Sequence, residues 1–280
     1  MAQKGNLAQR LVTAAAVVPL LLLLLFRGPA WGFFVLVFVA TAIASRELYR
    51  MTHPEDGASQ AVLIALSLGV SLVLYQFGAD ARALLTLVMA LVLTGPLVTL
   101  FRLGRMESAA MRAMAGVAGP LYIGGSLATL ALLRRDTGDA GPGYVLLTLM
   151  LAWLADTGGY FFGRFLGKAK LYEAVSPKKT RAGFVGALLG AVAGAGMASF
   201  WFLPSLPIEH SLPLALLAGG LGQLGDLVES LLKRSTGIKD SGSIVPGHGG
   251  MLDRVDALLF VSPVVYLYAL WAGAAGLSAQ

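Results

Sequence analysis

Residues 226–256 place acidic and basic side chains close together between two apolar stretches of the sequence. Four polar side chains at the start are three or four positions apart and would share one face of a helix. They are Asp226, Glu229, Ser230 and Lys233. Asp253 and Asp256 are also three residues apart. If the intervening loop folds back, Asp226, Asp253 and Asp256 converge as a group of oxygen ligands, which suits a hard cation such as Mg²⁺.

The segment "SPKKT", residues 176–180, has the composition of a polyphosphate-binding turn. Lys178 and Lys179 supply two adjacent ammonium groups, and a lysine ammonium binds phosphate as a point charge. Ser176 and Thr180 add hydroxyl groups on either side. We therefore predict phosphate contacts from this segment, whereas other lysines of the same basic loop need only fix the membrane topology.

Asp156 is a carboxylate inside the otherwise apolar stretch "WLADTGGYFFGR", residues 153–164. Insertion scales assign such a group a cost of roughly 2.5–3.5 kcal/mol near the centre of a membrane helix. It should therefore face a polar cavity and a partner. A metal or substrate role is favoured over simple structural pairing with an arginine.

The turn "PGHGG", residues 246–250, offers flexible backbone amides that can hold phosphate oxygens. Its histidine, His248, is equally compatible with a phosphate contact and with a structural turn residue. The sequence has no Gly-x-Ser-x-Gly elbow, Walker loop or His-Glu-x-x-His motif. Because phosphoryl-type transfer depends mainly on positioning and charge neutralisation, the pattern predicts a metal-assisted transfer without a protein nucleophile.

The elements that position these residues are predicted to be membrane helices, giving an all-α polytopic bundle. Of the 280 residues, 57% are hydrophobic and 13% charged, and the mean hydropathy is +0.76. The absence of cysteine excludes disulfides and thiolate metal sites. Apolar runs of about 20 residues can cross a bilayer. Nine such runs are predicted, at roughly 11–26, 29–45, 60–77, 83–101, 113–133, 144–163, 183–203, 212–232 and 255–275.

The distribution of Lys and Arg predicts a cytoplasmic N-terminus. With that orientation, 17 of the 21 basic residues lie on the inner side, including those of the loops 164–182 and 233–254. In this orientation the candidate site lies on the cytoplasmic side of the cell inner membrane. The net charge of +6 suits contact with anionic membrane lipids, and the sequence lacks the basic soluble domain that nucleic-acid binding would need.

The distribution of charged residues and glycines changes near residue 112. Residues 1–112 carry their charges at span ends and are interpreted as scaffold helices, whereas residues 113–280 form the predicted catalytic region. Glycines recur in this second part, and those at 186, 190 and 194 have the fourfold spacing that lets two helices approach closely in lipid.

The stretch "SLLKRSTGIKDSGSIVPGHGGMLDRVD", residues 230–256, resembles the signature of the phosphatidate cytidylyltransferases, also called CDP-diacylglycerol synthases. "ADTGGYFFGRFLGK" and "SPKKT" resemble upstream motifs of the same family. The positions at signature spacing are Ser230, Lys233, Arg234, Lys239, Asp240, His248, Gly249, Gly250, Asp253, Arg254 and Asp256.

The resemblance implies a polytopic dimer that transfers CMP from CTP to phosphatidic acid, using Mg²⁺ with a monovalent cation such as K⁺. It implies that Asp226 and Asp253 are metal ligands, with Asp256 and then Asp156 as further candidates. His248 would contact or orient a phosphate, and Gly249 and Gly250 belong to the same substrate-binding turn. The implied phosphate-binding cations are Lys178, Lys179, Lys233, Arg234, Lys239 and Arg254.

Three other classes of protein fit less well. A CDP-alcohol phosphotransferase needs an Asp-Gly-x-x-Ala-Arg motif followed by Asp-x-x-x-Asp, which this sequence lacks. A transporter would favour inverted repeats and charges near the midplane, whereas these carboxylates crowd one end of the spans. A purely structural membrane protein gives no reason for acidic residues beside pairs of lysines.

Overall fold

The structure, a computed structural model, describes residues 18–242 and 249–274. Within this part of the chain the regular structure is helical except for one short hairpin, which confirms the predicted all-α class. The helices are α1 (Val18–Arg27), α2 (Ala30–Thr52), α3 (Gly57–Phe77), α4 (Ala81–Phe101), α5 (Ala109–Gly119), α6 (Ser126–Asp136), α7 (Gly141–Leu166), α8 (Arg181–Met197), α9 (Ile208–Ser235), α10 (Leu252–Val255) and α11 (Leu258–Ala274).

Eight segments within the described residues are long and apolar enough to cross a membrane. They correspond to the second to ninth predicted spans; α5 and α6, joined by a π-helical turn at Pro120–Gly125, form one of them. The first predicted span begins outside the described residues, and its described part is the shorter apolar helix α1. Phe101, Phe200 and Trp201 are each about four-fifths exposed, as suits contact with lipid. The protein is therefore a multi-pass membrane protein.

Short polar side chains mark where several helices begin. Asp56 accepts a hydrogen bond from the Ser59 backbone amide at 3.2 Å before α3, and Asp80 accepts one from the Arg82 amide at 2.8 Å before α4. Thr180 accepts one from the Gly183 amide at 3.1 Å before α8. These are N-caps, which satisfy amides that have no partner inside the helix.

The chain packs as two compact units. Unit 1 comprises Met1–Ala131 and Thr236–Arg254, and unit 2 comprises Leu132–Ser235 and Val255–Gln280. The boundary between scaffold helices and catalytic region near residue 112 stays a prediction, because it is based on the distribution of charged residues and glycines and not on packing.

Unit 1 is held by contacts among α2, α3 and the π-helical turn. The rings of Phe34 and Tyr75 stack with centroids 4.0 Å apart, and the Tyr49 hydroxyl lies 3.1 Å from the Ser67 hydroxyl. A side chain at Gly124 would clash with the Ser67 carbonyl oxygen, so the chain crosses α3 there without a Cβ.

The turn between α2 and α3 carries a charged network in unit 1. Asp56 forms ion pairs with Arg102 at 3.0 Å and with Arg112 at 2.9 Å. Burial by itself raises the pKa of Asp56, but hydrogen bonds from Ser59 and Arg102 and the charge of Arg102 outweigh it and lower the pKa to about 2. Arg112 also donates to the Leu103 carbonyl at 2.7 Å, so these arginines hold the end of α4 in place.

His53, beside this network, makes unit 1 sensitive to acid. Burial and then the charge of Arg112 lower its pKa from 6.5 to about 4, although Asp56 opposes them. The folded state therefore favours neutral His53; this stabilisation is complete above pH 6.5 and is lost as the pH falls from 6.5 towards 4. We expect the unfolding free energy to fall by up to about 1.4 kcal/mol per pH unit in that window.

The measurement is the thermal midpoint in detergent between pH 7.5 and 4.5, compared for the wild type and His53→Gln. The variant should lose much of the slope. His210→Gln, in unit 2, controls for the loss of a histidine. Equal slopes for the wild type and His53→Gln would contradict the assignment.

Unit 2 is built on close contacts among α7, α8 and α9. A Cβ at Gly186 would lie 2.6 Å from the Gly158 carbonyl oxygen, and one at Gly190 would clash with the Leu154 carbonyl oxygen. A Cβ at Gly194 would lie 3.2 Å from the Leu154 side chain. The predicted packing role of these three glycines is confirmed, and their partner is α7.

Gly190→Ala should destabilise unit 2, because the new methyl group meets backbone atoms that cannot rotate away. Overpacking of this kind costs typically 1–3 kcal/mol, so the thermal midpoint in detergent should fall by several degrees. Gly196→Ala is the matched control on the same helix, since a Cβ there meets nothing within 4 Å. It should be neutral or slightly stabilising. Equal midpoints for the two variants would contradict close packing at Gly190.

Candidate active site with a carboxylate cluster

Three carboxylates meet in unit 2 where α9 ends and α11 begins. Asp226 and Glu229 are one turn apart on α9, and Asp256 lies in the turn before α11. One ligand oxygen from each lies within 4.8 Å of the others. The predicted convergence of Asp226 and Asp256 is confirmed, and Glu229, which the sequence placed on the same helix face as Asp226, is the third member.

Two glycines within α9, Gly222 and Gly225, permit this approach. A Cβ at Gly225 would lie 2.9 Å from the Asp256 carbonyl oxygen and 2.6 Å from the Phe260 ring, and one at Gly222 would lie 2.8 Å from Val261. A larger residue at either position would push α9 away from α11. The glycines before Asp226 therefore bring Asp226 and Asp256 onto the same cluster.

Two lysines pair with the cluster. The Lys179 ammonium lies 2.8 Å from Asp226 and donates to the Gln223 carbonyl at 3.2 Å, while Lys233 pairs with Glu229 one turn along α9. These pairs confirm the shared helix face predicted for α9, to which Ser230 adds a hydroxyl 3.4 Å from Asp226.

A β-hairpin places Lys179 there. Within the loop predicted at 164–182, β1 (Lys170–Tyr172) and β2 (Ser176–Thr180) pair antiparallel, with Lys170 opposite Thr180. Adjacent strand residues point to opposite faces. Lys179 accordingly reaches Asp226, whereas Lys178 is exposed on the other face.

The structure links Asp156 to the same cluster through Gln223. The Gln223 side-chain amide donates to the Asp156 carboxylate at 3.1 Å, and the Gln223 backbone carbonyl accepts from Lys179. Asp156 is exposed on α7. The prediction of a polar partner for this intramembrane carboxylate is confirmed, and Gln223 is a site residue that the sequence reasoning missed.

The donor set fits a hard divalent cation. Asp156, Asp226, Glu229 and Asp256 supply four carboxylates, against the two ammonium groups of Lys179 and Lys233. Such all-oxygen groups suit Mg²⁺, which usually takes one or two carboxylates together with waters and substrate phosphates. The excess negative charge gives the cation a net attraction.

Asp253, predicted to converge with Asp226 and Asp256, belongs to unit 1. Its carboxylate accepts hydrogen bonds from the Ser241 amide at 3.2 Å, the Ser241 hydroxyl at 2.8 Å and the Gly250 amide at 3.0 Å. Glu229 takes the third place in the described carboxylate cluster. A metal-ligand role for Asp253 stays a prediction.

Thr180, Gly249 and Gly250 have structural roles. Thr180 is buried and caps α8, which commits its hydroxyl to the Gly183 amide. Gly249 has a φ of +81°, which favours glycine, and a Cβ at Gly250 would meet Ser241 and Glu47. Their contacts with substrate stay predictions.

Four other predicted phosphate ligands lie at or near the surface. Ser176 is half-buried, and His248 lies outside the described residues. The exposed cations are Arg234, Lys239 and Arg254.

Sequence reasoning also missed Glu47, on α2. This carboxylate is 2% exposed and accepts hydrogen bonds from the Met251 amide at 3.0 Å, the Leu252 amide at 2.7 Å and the Ser241 hydroxyl at 3.2 Å. The assignment of residues 1–112 to scaffold rested on charges at span ends, which made Glu47 look like an ordinary helix-end residue. Its partners are about 200 positions away, beyond any local pattern.

A family model described as the cytidylyltransferase family matches residues 8–271. The chain belongs to the cytidylyltransferase family. Both regions that supply the candidate site residues, 156–180 and 226–256, fall inside the match.

Three curated proteins that are similar to this cytidylyltransferase family member are phosphatidate cytidylyltransferases. The chain is 43% identical over 130 residues to a phosphatidate cytidylyltransferase of Staphylococcus saprophyticus, an alignment covering 46% of this chain and 50% of that protein. It is 42% identical over 144 residues to one from Staphylococcus haemolyticus, with 51% and 54% covered. It is 44% identical over 131 residues to one from Staphylococcus aureus strain COL, with 46% and 50% covered. The chain spans about half the length of the curated relatives it matches.

Proposed function

We propose that this protein is a phosphatidate cytidylyltransferase, which converts CTP and phosphatidic acid into CDP-diacylglycerol and pyrophosphate. The observation that carries the proposal is the cluster of Asp226, Glu229 and Asp256 with Lys179 and Lys233 at its edge. It combines a cation site with fixed positive charge, which is what a nucleoside triphosphate needs. The name of the staphylococcal relatives supports the same reaction.

The reaction needs positioning more than covalent catalysis by the protein. A phosphate oxygen of phosphatidic acid forms a bond to the α-phosphorus of CTP, and the bond from that phosphorus to the bridging oxygen of the β-phosphate breaks. The bonding electrons leave with pyrophosphate. Because the acceptor brings its own nucleophilic oxygen, the protein has to align the two phosphates and neutralise charge.

In unit 2 the carboxylates would bind the metal ion and the lysines would bind phosphate. Asp226, Glu229 and Asp256 would hold Mg²⁺, with Asp156 nearby. When bound, this ion neutralises the triphosphate and polarises the phosphoryl oxygens. Lys179 and Lys233 lie within ion-pair distance of the carboxylates and would exchange part of that contact for phosphate oxygens. The monovalent cation implied by the resemblance is part of the proposal.

We further propose that the enzyme works as a homodimer in the cell inner membrane, with its site facing the cytoplasm. The excess of Lys and Arg in the predicted inner loops supports this orientation, since cytoplasmic loops carry that excess. CTP would then reach the site from the cytoplasm. Phosphatidic acid would enter from the bilayer, between helices.

The proposal is tested by incubating purified protein in mixed micelles with labelled CTP and phosphatidic acid. Labelled CDP-diacylglycerol and pyrophosphate should form in equal amounts, and omitting either Mg²⁺ or phosphatidic acid should abolish both. Substituting diacylglycerol for phosphatidic acid is the matched control, because it lacks the attacking phosphate. Turnover of CTP that is independent of phosphatidic acid, or no turnover by folded protein, would contradict the proposal.

A further inference from the structure

Glu47 is a carboxylate on a membrane helix whose described hydrogen bonds reach a distant segment of the chain. It lies near the end of α2 and is 2% exposed. A carboxylate in such a place is costly unless hydrogen bonds replace its lost hydration. The bonds come from Ser241, Met251 and Leu252, so the stabilisation of Glu47 depends on these residues being in place.

The bonds to Glu47 fix the backbone immediately before Asp253. One carboxylate oxygen accepts from the Met251 amide, and the other accepts from the Leu252 amide, at the start of α10. Two consecutive amides bound by one carboxylate leave the backbone little freedom to rotate. The side chain of Asp253, the next residue, therefore leaves the backbone in a fixed direction.

Ser241 connects Glu47 to Asp253 directly. Its hydroxyl lies 3.2 Å from a Glu47 oxygen and 2.8 Å from an Asp253 oxygen. A hydroxyl has one proton to donate, so it serves one carboxylate at a time and holds both near it. The Ser241 amide donates to Asp253 as well, at 3.2 Å.

The glycines of this segment leave space for the carboxylate. A Cβ at Gly242 would lie 2.5 Å from a Glu47 oxygen, and a Cβ at Gly250 would lie 2.6 Å from the other. Both positions therefore need glycine for the backbone to pack against Glu47. The fit between a buried charge and two glycines indicates that Gly242 and Gly250 pack specifically against Glu47 on α2.

We propose that Glu47 is a positioning residue for Asp253, acting through the Met251 and Leu252 amides and the Ser241 hydroxyl. The inference rests on the proposed cytidylyltransferase function and on the metal-ligand role that the family resemblance implies for Asp253. Glu47 itself does not contact substrate in this role. It fixes the angle from which the Asp253 carboxylate is presented.

The first test is the kinetics of Glu47→Gln in the full-length protein. An amide nitrogen would replace one acceptor oxygen and face a backbone N–H, which breaks part of the anchor. Losses from residues that orient metal ligands are about 10- to 100-fold, so we expect kcat to fall by about that factor. The Mg²⁺ concentration for half-maximal activity should rise, while the KM for phosphatidic acid stays within about twofold. A change limited to the amount of folded enzyme would overturn the proposal, because it would lower kcat without moving the Mg²⁺ dependence.

The matched control is Glu107→Gln, which removes a carboxylate 82% exposed in the same unit and should keep wild-type kinetics. Ser241→Ala removes one shared hydroxyl and leaves both backbone amides on Glu47. It should show the same Mg²⁺ shift in weaker form, and it keeps the test available if Glu47→Gln does not fold. Wild-type Mg²⁺ dependence in Ser241→Ala and Glu47→Gln would overturn the proposal.

A second readout separates this inference from the proposed function. Hydrogen exchange of peptides containing the Met251 and Leu252 amides should be faster in Glu47→Gln than in the wild type and in Glu107→Gln, with or without substrates. If the wild type has no cytidylyltransferase activity, the proposed function fails, but this exchange still decides whether Glu47 anchors the segment. Unchanged exchange at these amides would overturn the anchor itself.

Discussion

Asp226→Asn should lose about 10³-fold or more of its CTP-dependent activity at saturating phosphatidic acid. The substitution keeps the size of the side chain but removes one negative charge from a three-carboxylate group. A metal ion in such a site contributes several kcal/mol of charge stabilisation in the transition state, and each 1.36 kcal/mol changes the rate tenfold. The variant should also need more Mg²⁺ for half-maximal activity.

Lys179→Gln removes the other partner of the same ion pair. It therefore distinguishes a metal-binding role of Asp226 from a purely structural role of the salt bridge. If the salt bridge mattered only for structure, both variants would behave alike. Removing the ammonium leaves the cluster more negative, so the half-maximal Mg²⁺ concentration should fall or stay constant even though activity declines. The opposite signs of the two Mg²⁺ shifts are the diagnostic result.

Asp139→Asn is the control for Asp226→Asn, because Asp139 is an exposed carboxylate of the same unit outside the cluster. It should keep wild-type turnover and Mg²⁺ dependence. Substantial activity in Asp226→Asn at ordinary Mg²⁺ concentration would remove Asp226 from the metal site and leave the cluster a structural one.

The membrane helices could be predicted from the sequence because the bilayer interior requires long runs of apolar residues. An apolar run of sufficient length predicts a membrane helix, and this identified eight segments that the structure describes. The glycine spacing on α8 was readable for a similar reason, since a glycine every fourth residue lies on one helix face. Neither pattern identifies the helix against which a predicted helix packs. That α7 packs on Gly190 follows from the folded chain alone.

The candidate site was only partly readable because its residues come from separate helices. The sequence predicts that Asp226 and Asp256 converge, but it names Asp253 as their partner, whereas the described cluster contains Glu229. Gln223 was missed because a glutamine in an apolar helix has no distinctive spacing. Its value comes from bonding both Asp156 and Lys179, on two other elements.

The segment "SPKKT" brings only one of its two lysines to the carboxylates. Two adjacent lysines suggest a joint phosphate site, but the segment forms a strand, and a strand sends neighbours to opposite faces. Lys179 alone reaches the carboxylates. The hairpin was hidden because a short, highly charged loop gives little β signal.

Asp253→Asn should lower kcat by about 10²–10³-fold while leaving the protein folded. The amide keeps one acceptor oxygen, which can still receive the hydrogen bonds from Ser241 and Gly250, so the segment keeps its shape. What the substitution removes is charge. The loss of charge stabilisation at a proposed metal ligand then appears in turnover and not in stability. Thermal midpoints in detergent and steady-state rates, measured on the same preparation, test both halves of this expectation.

Asp253→Ala completes the comparison, because it removes the acceptor as well as the charge. It should lose as much activity as Asp253→Asn and also lower the thermal midpoint, since the Ser241 and Gly250 amides lose their partner. Glu107→Gln serves again as the exposed control in unit 1. If Asp253→Asn turns over like the wild type while Asp253→Ala does not, Asp253 shapes the segment without serving the ion. The oxygen ligands would then come from the cluster in unit 2, and Glu47 would stabilise a structural turn.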